Sequence, residues 1–584
     1  MSNNDARTTG LSRRSLITGA LALTAGGGLL SGCSSSSSAN GGAAAAGGGQ
    51  AAPSVTLGPK LAQVQYPEGY VGPVARTLKP ITTEKVSFKI VVPQDVVIGD
   101  WNTNPFTKWL EQTTGVHVAF SQLGGTDADI MTKVNAMIAA GDIPDAFLGV
   151  NFSRSQLYLY GQQGLFQDVS SHLDAYAPNM RQAMKDYPET RKLIQAPDKK
   201  VYTFPCINDC YHCRASNGRS FLNTDWIKQV GLDVPKTTDE FRELLRAFKK
   251  ADLGGNGKTI PFCGYQDAPL DQYFMNAFLY NPGDPWLVVN DGKVDVTFMK
   301  DEWREGLKYL NGLYGEGLIN KDVFTADQDQ MIRYGDAPGN PIIGGVRGYW
   351  WGSFLSDIDQ KDPNARWRKY VAVPPLQGPN NVRYAAWDYL NVGVEVSHLV
   401  VTKKCTRPEV MVQWADVQSD LQAILRGYGG PKFEWAKKGE LGINGKQAIF
   451  AFPAVWNTQK NIGWNQKNAM YRSNDFRLSE RVNPKDLTYE QPLYQQTEDS
   501  YFPYKQPKEM QFPPVTLDQD QAAQEAELRT NLESEVKQSF AKFVTGQLNP
   551  NDDAVWNDYK SRVEKIGVKP FLDLQQAGYE TYNG

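Results

Sequence analysis

Val86-Ser-Phe-Lys-Ile-Val-Val-Pro93, Asn104-Pro-Phe-Thr-Lys-Trp-Leu-Glu-Gln-Thr-Thr-Gly115 and Val116-His-Val-Ala-Phe120 follow one another early in the chain, and their reading decides the architecture. Val86, Phe88 and Ile90 alternate with polar residues at the period of a strand, and the run continues into Val91-Val92-Pro93. Asn104 then stands as an N-cap before a proline at the first helical position, Phe106, Trp109 and Leu110 supply an apolar face, and Gly115 closes the helix. Val116 to Phe120 reads as a second strand. A β-α-β order of this kind predicts an α/β protein whose parallel sheet is covered by helices.

The same signals recur outward from that stretch. Thr237-x-x-Glu240 reads as a capping box before Phe241, Leu244, Leu245 and Phe248, and Thr406-Arg407-Pro408-Glu409 reads as a second one before Met411 and Trp414. Trp303, Leu307, Leu310 and Tyr314 form one apolar stripe. Leu528, Leu532, Val536, Phe540 and Val544 form another that stops near Gly546. Both stripes predict core-facing helices.

The amino terminus reads differently. Ser12-Arg13-Arg14-Ser15 precedes an apolar, Gly/Ala-rich stretch from Leu16 to Leu30, and Leu30-Ser31-Gly32-Cys33 follows. That order is a charged region, an apolar region and a small-residue cleavage site. The paired arginines resemble a twin-arginine export signal and the last four residues resemble a lipobox, so cleavage before Cys33 and lipidation of its thiol are expected. Residues 1–32 would then be absent from the mature protein. Residues 33–54, rich in Ser, Gly and Ala, would be a flexible tether. A transmembrane reading is disfavoured because the apolar run is short of the roughly 20 residues a span needs and is diluted by glycine.

The remaining five hundred or so residues are ample for two or three cores. A formal net charge of -3 provides no basic field for nucleic acid or anionic membrane. The 14 Trp and 27 Tyr suit sugar stacking, although large cores use aromatics as well.

Several motifs resemble a known family. Trp109-Leu-Glu111-Gln-Thr-Thr114-Gly115-Val116 and Gly141-Asp142-Ile-Pro144-Asp145 are similar to the amino-terminal part of the extracellular solute-binding proteins of sugar ABC transporters. Val201-Tyr202-Thr203-Phe204-Pro205, Phe221-Leu-Asn223-Thr224-Asp225-Trp226 and Gly231-Leu232-x-Val234-Pro235 resemble that family's crossing into a second lobe. Glu302-Trp303 through Val323-Phe324, and Trp556-x-x-Tyr559 with Val563-x-x-Ile566-Gly567-Val568, resemble its later helices. The likeness covers most of residues 85–575 and is strongest to the lipoprotein subfamily that handles alginate and aldouronate oligosaccharides. It implies a two-lobe fold of the type II periplasmic-binding-protein kind, with an interlobe cleft and hinge segments. The expected lobes are 84–205 with 397–455, and 206–396 with 456–584. It further implies capture of an oligosaccharide by cleft closure for ABC permease subunits. The protein would be a monomer held to the outer face of the cytoplasmic membrane by its lipid alone.

Candidate ligand-binding residues follow from ring chemistry and position. Tyr349, Trp350 and Trp351 cluster between glycines, which suits a loop presenting rings at a cleft. Trp387 precedes Asn391-Val392-Gly393-Val394, a segment resembling the return crossing. Trp101 follows the first strand, where loops at carboxyl ends face the ligand in open α/β sheets. Trp286 and Trp464 lie beside Pro285 and Gly463 in loops. Arg347 offers a fork for an acidic sugar or for a structural ion pair.

Two constellations carry other chemistry. Cys206-x-x-x-Cys210-x-x-Cys213 has the spacing of a loop that holds an iron–sulfur cluster in radical enzymes. An oxidising exterior instead favours disulfides or free thiols. With Cys263 and Cys405 the mature chain holds an odd number of cysteines besides the lipidated one, so one stays unpaired or pairs between chains. Asp252-Leu-Gly254-Gly-Asn256-Gly257-Lys258 resembles a calcium loop of relatives, yet Gly254 replaces a ligand and Thr259-Ile260-Pro261 stands where later acids would be, so a turn without metal is expected. No cofactor is implied.

For catalysis the chain is poor. His117, His172, His212 and His398 are isolated in sequence, and no His-Glu-x-x-His pair, Gly-x-Ser-x-Gly elbow or phosphate-binding Gly-Lys-Ser/Thr loop occurs. His117 reads as structural within its strand. An exported glycoside hydrolase or lyase needs only two well-placed carboxylates and stands as the alternative.

Overall fold

The computed structural model describes residues 55–358, 362–390, 393–452, 460–482 and 490–583, with only the backbone of residue 216. The export signal 1–32, Cys33 and the tether to residue 54 lie outside the described residues. The strands are β1 (Val86–Pro93), β2 (Val116–Leu123), β3 (Ala146–Leu148), β4 (Phe204–Asn208), β5 (Ser220–Asn223), β6 (Leu287–Asn290) and β7 (Lys293–Val296). They continue with β8 (Gly345–Arg347), β9 (Tyr370–Val373), β10 (Val394–Val401), β11 (Glu434–Trp435), β12 (Phe450–Ala451) and β13 (Tyr471–Arg472).

The opening β-α-β stretch folds as read. The Asn104 side chain accepts from Phe106 N, Pro105 opens the helix Pro105–Thr114, and Gly115, at φ 74°, returns its N–H to Glu111 O. β1 lies parallel to β2 with Val86 opposite Val116. The sheet they start runs β13-β4-β10-β3-β1-β2. All its strands are parallel except β10, which runs against both of its neighbours. Alternation sorts the faces. Val86, Phe88, Ile90 and Val92 pack with Trp101, Leu110, Trp414 and Trp464 on one side, while Val91, Phe147 and Val400 meet Ile130, Val134 and Leu157 on the other.

A second sheet, β8-β5-β9, is antiparallel. On one side Leu222 and Val373 join Phe241, Leu245, Trp303, Leu307, Val536 and Phe543; on the other Phe221, Val346 and Ala372 join Trp351, Phe354 and Trp367. The predicted stripes are buried there as expected, with Tyr314 and Leu528 at the margin. Thr237 and Glu240 make their capping box. The second expected box does not form. The helix Pro408–Val417 starts from Arg407 with no side-chain cap, because Glu409 is engaged by Arg407 Nε at 2.6 Å.

Chain crosses between the two sheets after β4 and before β10. A further difference from the sequence reading concerns the carboxyl-terminal part. β13 pairs with β4, and Trp464, Ala469, Tyr471 and Phe476 pack with residues of the first sheet's cores, although 456–584 was expected in the second lobe. The strand is two residues long, too short for alternation to reveal it. No helix among the described residues is long and apolar enough to cross a membrane.

Candidate functional site

The carboxyl ends of β1, β3, β4 and β13 share one edge of the first sheet, the edge at which open α/β sheets receive ligands. After β1, Asp95 turns the chain by accepting from Val97 N at 2.7 Å and Ile98 N at 3.3 Å through Oδ1. At the ends of β4 and β13 stand Asn208 and Arg472. Arg472 Nη1 donates to Asn208 Oδ1 at 3.2 Å and to Gln466 Oε1 at 2.9 Å, and Asn208 Nδ2 donates to the same Gln466 oxygen at 3.0 Å. Arg472 is buried, its guanidinium 4.2 Å from the Tyr428 ring centroid. It therefore works from beneath and fixes the two amides, which are half-buried.

The segment that supplies Gln466 is held in an uncommon backbone shape. Asn461, Asn465 and Gln466 all have positive φ, at 59°, 44° and 68°. Such strain persists only where neighbours over-determine it, and it concentrates at binding sites. Here the neighbours are Trp464, whose indole N–H donates to Thr107 Oγ1 at 2.9 Å, and Asn465, whose amide reaches Asp95 Oδ2 at 3.4 Å.

Rings follow directly in the chain. Tyr211, three residues after Asn208, lies 5.3 Å from Trp387, 5.6 Å from Tyr494 and 6.1 Å from Phe502 between centroids. Tyr211 and Tyr494 are half-buried, and Phe502 is 37% exposed. Amide groups offer hydrogen bonding and partly exposed rings offer stacking, the two interactions a sugar surface uses. A cavity of about 540 Å³ opens at the end of β3, walled by Ser153, Arg154, Asp388, Gln511, Glu525 and Arg529. Arg154 Nη1 donates to Pro514 O at 2.9 Å across it.

The residues singled out from sequence fare unequally. Tyr349 and Trp350 are half-buried. Trp101, Trp286, Trp351, Trp387 and Trp464 are buried at 4% exposure or less, and Arg347 is fully buried. Trp101 and Trp464 stack on each other at 4.9 Å within the first sheet's core. The Trp286 indole donates to Asp271 Oδ2 at 2.9 Å, and Trp351 donates to Tyr370 O at 2.9 Å. Arg347 takes neither role foreseen for it. It donates to Arg219 O and Asn217 O, each at 2.7 Å, and to Gln272 Oε1 at 2.8 Å, with Tyr349 against its face. Loop position had suggested display, but a loop resting on a sheet buries its rings just as well.

The crossing also carries a buried ionic cluster. Glu490 accepts from Arg477 at 3.0 and 2.7 Å and lies 3.3 Å from His212 Nε2. Burial pushes the Glu490 carboxyl up, but the charge of Arg477 and its hydrogen bonds outweigh it and hold the group at about 2. Burial, against the pull of Glu490 and with help from Arg477, holds His212 down at about 3, so the ring is neutral at pH 7.

Cys210 and Cys213 form a disulfide, and Cys206, Cys263 and Cys405 are buried free thiols. With two of its three sulfurs joined, the motif has no set of thiolates for a cluster. His117 sits on the outer face of its strand, 3.0 Å from Glu111, and not in the core. In the Asp252 loop, Asp252 Oδ2 accepts from Gly257 N at 2.9 Å and Oδ1 from Thr259 Oγ1 at 2.7 Å. The turn itself uses both carboxylate oxygens.

Comparison with known proteins joins these observations. The family described as bacterial extracellular solute-binding protein matches residues 99–417. The chain belongs to that family. Among solute-binding proteins, the fructooligosaccharide ABC transporter substrate-binding protein FusA of Streptococcus pneumoniae is 28% identical over 508 residues, covering 83% of this chain and 88% of FusA. The structure of FusA in complex with kestose aligns at 25% identity and TM-score 0.67, over 85% of this chain and 99% of that one. The polygalacturonan/rhamnogalacturonan-binding protein YtcQ of Bacillus subtilis is 26% identical over 258 residues, 44% of this chain and 48% of YtcQ. This solute-binding protein thus has the α/β, type II periplasmic-binding-protein-like fold that its sequence implied.

Proposed function

We propose that the protein captures an oligosaccharide outside the cell and hands it, uncleaved, to the permease of an ABC importer. The observation that carries this reading is the 28% identity to FusA sustained over 83% of the chain and 88% of that relative. In this reading Gln466 and Asn208 hydrogen-bond the sugar, Asp95 and Asn465 extend the polar edge, and Tyr211, Tyr494, Phe502, Tyr349 and Trp350 provide stacking faces. Arg472 positions the amides.

The first sheet with its helices makes one lobe, now including residues 460–482, and the second sheet with the carboxyl-terminal helices makes the other. Closure of the two about the crossings presents the loaded form to the permease. Cys33, exposed by cleavage after twin-arginine export, carries the lipid that keeps a monomeric receptor beside its transporter and raises its effective concentration there.

Calorimetric titration of the purified protein with short fructo-oligosaccharides and with oligogalacturonides, followed by chromatography of the recovered sugar, tests this. Saturable binding of one class with the sugar returned intact is expected. Shortened sugar, or no binding by either class, would overturn it.

A further inference from the structure

Cys206 and Glu395 lie directly opposite each other on β4 and β10. Opposed residues of an antiparallel pair project from the same face. The next pairing is Leu399 with Phe204, so β10 spends four residues where β4 spends two. Such a bulge re-aims a side chain, and here it brings His398 to the other two. The donor atoms of Cys206, Glu395 and His398 all lie within 4.8 Å of one another. His398 Nδ1 is 2.8 Å from Glu395 Oε2, and its Nε2 is buried with no partner among the described residues.

We propose that Cys206, Glu395 and His398 form a site for one divalent transition-metal ion, zinc suiting the donors best. One sulfur, one imidazole nitrogen and one carboxylate oxygen are a zinc donor set, with water for the fourth position. Around a tetrahedral zinc, with bonds of about 2.0–2.3 Å, donors sit roughly 3.5 Å apart. Side-chain shifts on the order of 1 Å close the present cluster to that geometry.

Cys206 is fully buried, but the Glu395 side chain is 51% exposed, which gives the ion an entry path. As the sulfur–metal bond forms, the thiol proton leaves to solvent. The neighbouring Cys210 and Cys213 cannot substitute, because they are bonded to each other. An ion here would clamp β4 to β10, the strands on which the chain leaves the first sheet and returns to it.

The test loads tag-free purified protein, stripped of metal, with Zn2+ alone or Co2+ alone. One ion per chain is expected, with a sulfur-to-cobalt charge-transfer band. Cys206→Ser should abolish the band. Glu395→Gln should weaken Zn2+ binding by at least the roughly 10- to 100-fold that losing an outer-shell partner costs. Cys405→Ser, at a distant buried thiol, should change neither. No bound metal, or a band that survives Cys206→Ser, would overturn the proposal. Should Cys206→Ser fail to fold, the half-exposed Glu395→Gln variant decides, and undiminished Zn2+ affinity in it would refute the site.

Discussion

Glu490→Gln puts the crossing between the two sheets under the most informative strain. Glu490 stands at the start of the helix Glu490–Ser500 and joins Arg477, from the segment after β13, to His212, from the turn after β4. The substitution keeps the shape and removes the charge that the Arg477 guanidinium, 13% exposed, meets in Glu490. A fall of the Glu490 pKa from 4.5 to about 2, at about 1.4 kcal/mol per tenfold change in proton affinity, amounts to about 3 kcal/mol at neutral pH. That agrees with the roughly 3–5 kcal/mol cost of breaking a buried ion pair.

The sign follows from linkage. A carboxyl held low in the folded state contributes stability that is fully present above its ordinary pKa and is lost as pH falls through the folded value. The gap between wild type and Glu490→Gln should therefore be about 3 kcal/mol above pH 5 and shrink between about pH 4.5 and 2. Urea unfolding of both proteins at each pH measures it, since groups remote from Glu490 cancel in the difference, while His212 and Glu480, which feel its charge, add their own smaller changes. A gap that stays constant down to pH 2.5, or one under 1 kcal/mol at pH 7, would refute the reasoning.

Trp464→Ala empties a fully buried site among Trp101, Phe106 and Phe120; it should cost about 3–5 kcal/mol in urea unfolding and also weaken sugar binding by freeing Asn465 and Gln466. Gly393 has φ 63°, and a Cβ there would sit 1.9 Å from Asn208 O, so Gly393→Ala should destabilise by more than about 1–3 kcal/mol, with amide exchange rising first in β4 and β10. Gln466→Ala removes the oxygen to which Arg472 and Asn208 donate, so sugar affinity should fall about tenfold or more and urea unfolding should show a loss of roughly 1–3 kcal/mol for the donor left unsatisfied. Adding calcium to chelator-treated protein should leave the unfolding temperature where it was, because Asp252 is already satisfied by its own turn.

The fold was legible where one residue type announced a local geometry. Asn104-Pro105 with Gly115 fixed a helix to the residue, and alternation in Val86–Ile90 fixed a strand and its buried face. Thr406 misled because a capping motif says nothing of competitors, and Arg407 took the glutamate. β13 was invisible because two residues carry no period. The site was less legible for a physical reason. Tryptophan in a loop signals a ring, not its exposure, so Trp101, Trp286 and Trp464 were drawn into cores. Asn208, Gln466 and Arg472 lie far apart in the chain and meet only through the pairing of β13 with β4. One clue was available. Asn461 and Asn465 flank Gly463, and asparagine is the residue besides glycine that takes left-handed backbone most readily. Cys206, Glu395 and His398 were hidden in the same way, since an irregular register is needed to join them.

Thermal unfolding of the protein against a panel of neutral and uronic oligosaccharides, with each sugar analysed afterwards, tests whether it captures a sugar without cleaving it. A ligand that binds only the folded state stabilises it by RT ln(1 + [L]/Kd). One oligosaccharide class should raise the unfolding temperature in proportion to the logarithm of its excess and be recovered at its original length. A panel in which no sugar shifts the transition, or in which the stabilising sugar is recovered cleaved, would contradict the account.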